Sequence, residues 1–157
     1  MAILTIMNKQ LTAVVSAIAA LAILVGCSTV TPSQQAVTDF IIQSAATDAT
    51  IIEIQSHPEY TPDFVAGEQA LAVLAGTTNQ LNAASIEAIM VQAGQTNLVS
   101  KLLTANLVGL ANTYIANAGT NSVAQNAAVK SIANDLAVGI GAGLPQGLVK
   151  AAAKLKK

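Results

Sequence analysis

An all-α fold is predicted by three observations. The 157-residue chain is 53% hydrophobic yet has only two Phe, two Tyr and no Trp, so its apolar mass is Ala, Leu, Ile and Val. Ala is the best helix former and straight-chain residues lose little rotamer freedom in a helix. No long stretch alternates with period two, and Pro and Gly punctuate the apolar runs where helices start and stop.

The first mature element opens at Thr31-Pro32, an N-cap followed by Pro at the first helical position. It carries Val37, Phe40, Ile41, Ala45, Ile51 and Ile52 as one apolar face and stops at His57-Pro58. Thr61-Pro62-Asp63 repeats the start signal with an acidic residue suited to the helix dipole, and Phe64, Ala70, Leu71 and Leu74 follow to Gly76. A shorter helix is expected over Ala83 to Gln92 before Gly94. The most apolar segment, Asn97 to Gly119 with Leu98, Leu102, Leu103, Val108, Leu110 and Tyr114, is spaced for a central helix. Another helix is expected from about Asn121 to Val138, with Ala124, Ala127, Ile132 and Leu136. Gly139-Ile140-Gly141-Ala142-Gly143 then reads as its end and a bend, with a small-residue contact between helices or with lipid as the alternative, before a last weak helix from Pro145. The expected architecture is a bundle of about five helices.

Ahead of this domain Lys9, the charge-free run Leu11 to Val25 and the small residue Gly26 have the three parts of a secretory signal, and Met7 reads as the true start. The run Leu24-Val25-Gly26-Cys27 resembles the lipobox of bacterial lipoproteins, and the likeness covers residues 7 to 28. The resemblance implies cleavage before Cys27, acylation of Cys27 by palmitate-type chains and, with Ser28 next, sorting to the periplasmic face of the outer membrane. Two or three chains would hold where one binds only marginally. The competing readings are an uncleaved transmembrane helix, which needs about 20 apolar residues, and a buried core helix. A lone Cys fits an oxidising compartment because it leaves the mature chain no disulfide partner. The expected division is signal peptide 1–26, lipidated N-terminus and linker 27–31, helical domain 32–144, and basic C-terminal helix or tail 145–157. Removal of residues 1–26 from 157 leaves 131 residues, enough for one domain with a modest core. Residues 28–31 reach at most about 12–15 Å, which places the start of the domain close to the leaflet.

Charge is uneven. Asp39, Asp48, Glu53, Glu59, Asp63, Glu68 and Glu87 lie between Cys27 and Met90 with no Lys, while Lys101, Lys130, Lys150, Lys154, Lys156 and Lys157 later face only Asp135. The plain account is solubility and loose pairing between the halves. The functional one makes Lys150, Lys154, Lys156 and Lys157 a contact for anionic lipid, cell wall or an acidic protein partner. The terminal Lys157 also resembles the end of the murein lipoproteins, where the side-chain amine is joined to peptidoglycan, although this chain lacks their continuous heptads.

Catalytic signals are sparse. His57 is the only histidine, and Glu53, Glu59 and Asp63 around it read as a helix end and turn rather than as a metal site of three or four ligands. No Ser lies in a Gly-x-Ser-x-Gly elbow, and the Gly139–Gly143 run lacks the Gly-Lys-Ser/Thr of a phosphate loop. Arg is absent, which removes bidentate clamping of phosphate, and the few aromatics leave little to stack on sugars or bases. The expectation is therefore no catalytic residue, no metal and no nucleic acid, with covalent lipid on Cys27 as the only attached group. The protein is expected to act through contact, in the style of small helical lipoproteins of bacteria and their phages. The alternatives are an envelope hydrolase using carboxylates near His57 and a carrier of an apolar ligand between helices.

Overall fold

In the computed structural model, residues 32–78, 81–92, 105, 108–109 and 122–154 are described. Four α-helices and one short 3-10 turn account for the named elements among them, with no strand: α1 Pro32–Ser56, the turn Pro58–Tyr60, α2 Thr61–Gly76, α3 Ala83–Gln92 and α4 Ser122–Lys154. The all-α class therefore holds. Thr31, the expected central helix over 97–119 and the signal region lie outside the described residues or are met only at isolated positions.

Local chemistry sets the boundaries. Pro32 is the first residue of α1, and Pro58, with no N–H to continue the ladder, opens the 3-10 turn after His57. Tyr60 precedes α2 without a side-chain cap, and Thr61 lies inside the helix, its hydroxyl donating back to the Pro58 carbonyl at 2.7 Å. Thr61 is thus a turn lock rather than the expected cap. A reciprocal cap starts α3: the Ser85 amide donates to Asn82 Oδ1 at 2.9 Å, and the Asn82 amide donates to Ser85 Oγ at 2.8 Å. This arrangement satisfies donors that the first turn would otherwise leave open.

The largest departure from expectation is α4, which runs unbroken for 33 residues through Gly139–Gly143 and Pro145. The glycines do not end a helix. Glycine costs about 1 kcal/mol in a helix interior and proline about 3, so packing must offset them. Gly139, Gly143 and Gly147 form one i, i+4 row pressed on α1: Cβ atoms built there would fall 2.5 Å from the Gln43 carbonyl oxygen, 2.7 Å from the Thr47 carbonyl oxygen and 2.7 Å from Ile54 Cβ. Only hydrogen in place of Cβ permits that approach, as in small-xxx-small helix pairs. Pro145 is exposed, and the Gln146 side chain donates to the Ala142 carbonyl at 3.1 Å in the same turn.

Position along the chain rises together on the two helices. Gln35 meets Ser131, Thr47 meets Gly139 and Ile54 meets Gly147, so α1 and α4 are parallel. The chain reverses through the 3-10 turn, and α2 runs antiparallel to both, with Glu68 against Gly141 and Leu81 bonded to Asn126 just beyond its end. Among the described residues α4 is the hub, packing on α1 on one side and α2 on the other. The core joins Ile42, Ala46 and Ile54 of α1, Phe64, Leu71 and Leu74 of α2, Ile86 and Met90 of α3, and Ile132, Leu136, Ile140 and Leu144 of α4. The expected apolar face of α1 is corrected: Val37, Phe40 and Ile52 are exposed, whereas Thr50 and Glu53 are buried beside Ile51 and Ile54.

Candidate functional site

Among the described residues, three places carry the polar chemistry considered for function. The expected lipidation and sorting residues, Cys27 and Ser28, lie outside the described residues, as do Lys156 and Lys157.

At the C-terminal end of α4, Lys150 and Lys154 are exposed one turn apart, and Leu148, Val149, Ala152 and Ala153 are exposed with them; only Gly147 and Ala151 in this stretch are buried. Cations and apolar side chains thus share the final turns, where cations also suit the negative end of the helix dipole. The register of the parallel pair puts Pro32 roughly level with residue 128. At 1.5 Å per residue, Lys154 then lies about 40 Å along the axis from the start of α1. The two ends are opposite.

At the end of α1, His57 Nδ1 lies 3.1 Å from Glu59 Oε1, and its ring stacks on Tyr60 with centroids 5.1 Å apart. Glu59 is held below the ordinary carboxyl range by its own backbone N–H and by His57. Glu53, one turn before His57, is pushed up by burial, partly offset by the charge of His57. Of the sequence-predicted neighbours, His57 and Glu59 meet side chain to side chain, while Glu53 accepts the His57 backbone N–H at its carbonyl, 2.7 Å away, and feels His57 through its charge. Among the described residues no group of three or more His, Cys, Asp or Glu is placed to hold a metal ion.

The third place was not anticipated from the sequence. A polar ladder runs down the α1/α4 seam ahead of the glycine row. The Gln35 side chain donates to Asp39 at 2.7 Å and reaches Ser131 Oγ at 3.4 Å; Gln43 Nε2 donates to Asp135 Oδ1 at 2.8 Å; and Thr47 Oγ1 donates to the Gln43 and Gly139 carbonyls at 2.8 and 3.0 Å. Asp135 is 3% exposed, and its Oδ2 is the single buried side-chain oxygen without a hydrogen-bond partner among the described residues. Burial pushes its carboxyl up to about 6; the Gln43 bond opposes this, and the neighbouring Asp39 adds to it. Read along the chain, Asp135 is only the one acid of a basic half. The available signal was its place four residues before Gly139, in the same row.

No protein-family model, curated protein or solved structure matches the chain.

Proposed function

We propose that this is a lipid-anchored helical protein of the bacterial envelope that acts through contact. The observation that carries the reading is the run Leu24-Val25-Gly26-Cys27 behind Lys9 and a charge-free apolar stretch. Signal peptidase cleavage before Cys27 would leave acyl chains four residues from α1, and Ser28 would direct the protein to the periplasmic face of the outer membrane. The bundle of about five helices in this proposal counts a further one over residues 97–119, which lie outside the described residues or are met only at isolated positions.

The parallel seam supports the second half of the proposal. An anchor at the start of α1 and a cationic, apolar tip at the end of α4 make the domain a strut about 40 Å long. The strut presents Lys150, Lys154, Lys156 and Lys157 to an anionic envelope surface, either lipid or cell wall. The stretch Asn126–Lys154 is long and apolar enough to cross a membrane by length and composition, a property shared by core helices, and its inner faces are packed on α1 and α2.

Co-sedimentation of the full-length protein in zwitterionic nanodiscs, with sacculi or with vesicles containing phosphatidylglycerol, tests the contact. Each Lys near an anionic surface contributes about 1 kcal/mol, so the Lys150→Gln/Lys154→Gln protein should bind about 30-fold more weakly to whichever surface the wild type prefers, and the loss should shrink at high salt. Unchanged binding refutes the basic tip as the contact. A second reading, an envelope hydrolase, draws on the raised Glu53 carboxyl beside His57. Loss of a cell-wall cleavage activity in a Glu53→Gln/His57→Ala protein that still binds would favour it.

A further inference from the structure

We propose that Asp39 and Asp135 form a proton-operated clasp between α1 and α4, closed when the pair shares a proton and loosened when both carboxylates are charged. The inference is independent of the lipid anchor. It stands on position: Asp135 projects from the hub helix into a seam so tight that glycine is required a turn further on, and its Oδ2 has no partner. From α1 the groups that meet it are Asp39 and Gln43, with Gln35 bonded to Asp39. On α4 itself its polar neighbour is Asn134, whose side chain favours the charged form, the smallest of the effects on it. The nearest lysine in sequence, Lys130, makes no ion pair with it among the described residues. From α2 the acid that meets α4 is Glu68, which lies against Gly141, six residues further on.

No cation therefore offsets Asp135. Gln43 Nε2 supplies one donor to Oδ1, and a neutral acid would supply what Oδ2 lacks, a hydrogen to place between the two carboxyl groups. Ionisation of both places like charges against each other across a seam with little water, and the relief available is separation of the helices. Asp39 is only partly buried, so a proton from solvent has a path to the pair. The two helices tied by the clasp are those whose opposite ends would carry the anchor and the basic tip.

The sign follows from linkage. An acid whose folded pKa is raised above its unfolded value adds stability that is complete below the unfolded value and lost as pH rises through the folded one. With Asp135 near 6 against an ordinary 3.8, the loss is at most about 150-fold in the opening equilibrium. Amide exchange at Gly139, Gly143 and Thr47 in the full chain in detergent micelles, corrected for the pH dependence of chemical exchange, reads that opening. Wild-type protection should fall mainly between about pH 4 and about pH 6, the interval between the unfolded and folded values, and level off above about pH 7. Asp135→Asn, whose amide can donate to Asp39 and accept from Gln43, should hold protection level and exceed wild type at pH 8.

Should that variant fail to fold, Asp39→Asn keeps Asp135 and its Gln43 bond; the pH step should then move down because the neighbouring charge is gone. Equal pH dependence in wild type and Asp135→Asn, or no movement of the step in Asp39→Asn, overturns the clasp. Recovery of wild-type protection at pH 8 by millimolar calcium or magnesium would also overturn it, assigning the pair to a metal ion.

Discussion

Gly143→Ala separates the seam from intrinsic helix propensity by sign alone. In a helix that packed loosely, Ala in place of Gly would stabilise by about 1 kcal/mol. Here the added Cβ would lie 2.7 Å from the Thr47 carbonyl oxygen and 2.7 Å from Thr50 Cβ, with Thr50 Cγ2 at 3.1 Å. Two of the three atoms belong to the backbone or to the first side-chain carbon of α1, and no rotamer change moves them away. The helices must part by about 0.7–1 Å to restore ordinary contact, and a gap of that size forfeits a quarter to a half of each dispersion contact along the row. Overpacking of this kind costs about 1–3 kcal/mol. Set against the propensity gain, the expected net is a loss of up to about 2 kcal/mol, or up to several degrees in Tm, in place of the gain of about 1 kcal/mol that loose packing would give. Urea unfolding followed by circular dichroism on the full chain in detergent gives the number. Ala142→Gly, on the exposed side of the same turn, should lose about 1 kcal/mol from propensity alone and calibrates the comparison. A Gly143→Ala protein more stable than wild type would refute the close parallel seam.

Two further outcomes probe other parts of the fold. Asn82→Ala removes the reciprocal cap with Ser85 and should cost about 1 kcal/mol, with the loss confined to the α3 region in amide exchange. Phe40→Ala, at a side chain 69% exposed, should change the unfolding midpoint by less than about 1 kcal/mol, whereas Phe64→Ala, 4% exposed, should cost about 3–5 kcal/mol. Similar losses at both positions would place Phe40 in the core, as its spacing along the chain first suggests.

Much of the outline was legible because local chemistry decides it. The stop at His57-Pro58, the extent Thr61–Gly76 and the helix Ala83–Gln92 follow from proline, glycine and capping residues whose effects act within one turn. What escaped was set by contacts between distant residues. Three glycines and Pro145 read as a break because their cost is local, while the packing that offsets it exists only once α1 lies against α4. For the same reason Phe40 and Ile52, apolar and well spaced, lie outside while Thr50, Glu53 and Asp135 lie inside. Thr50 tolerates burial by donating to the Ala46 carbonyl at 2.8 Å, and Asp135 through Gln43. The chemistry of the α1/α4 seam needed both partners in view. By contrast, the basic tip stands out in the sequence because charge asymmetry needs no fold, and the structure adds that Lys150 and Lys154 are exposed beside Leu148 and Val149.

The anchored-strut account turns on Cys27. Intact mass spectrometry of the membrane and soluble fractions from a Gram-negative host expressing the full chain, beside a Cys27→Ser variant, tests it most directly. The account predicts a membrane-fraction mass of residues 27–157 plus acyl chains, absent from the variant. An unprocessed, unacylated mass in both would contradict it.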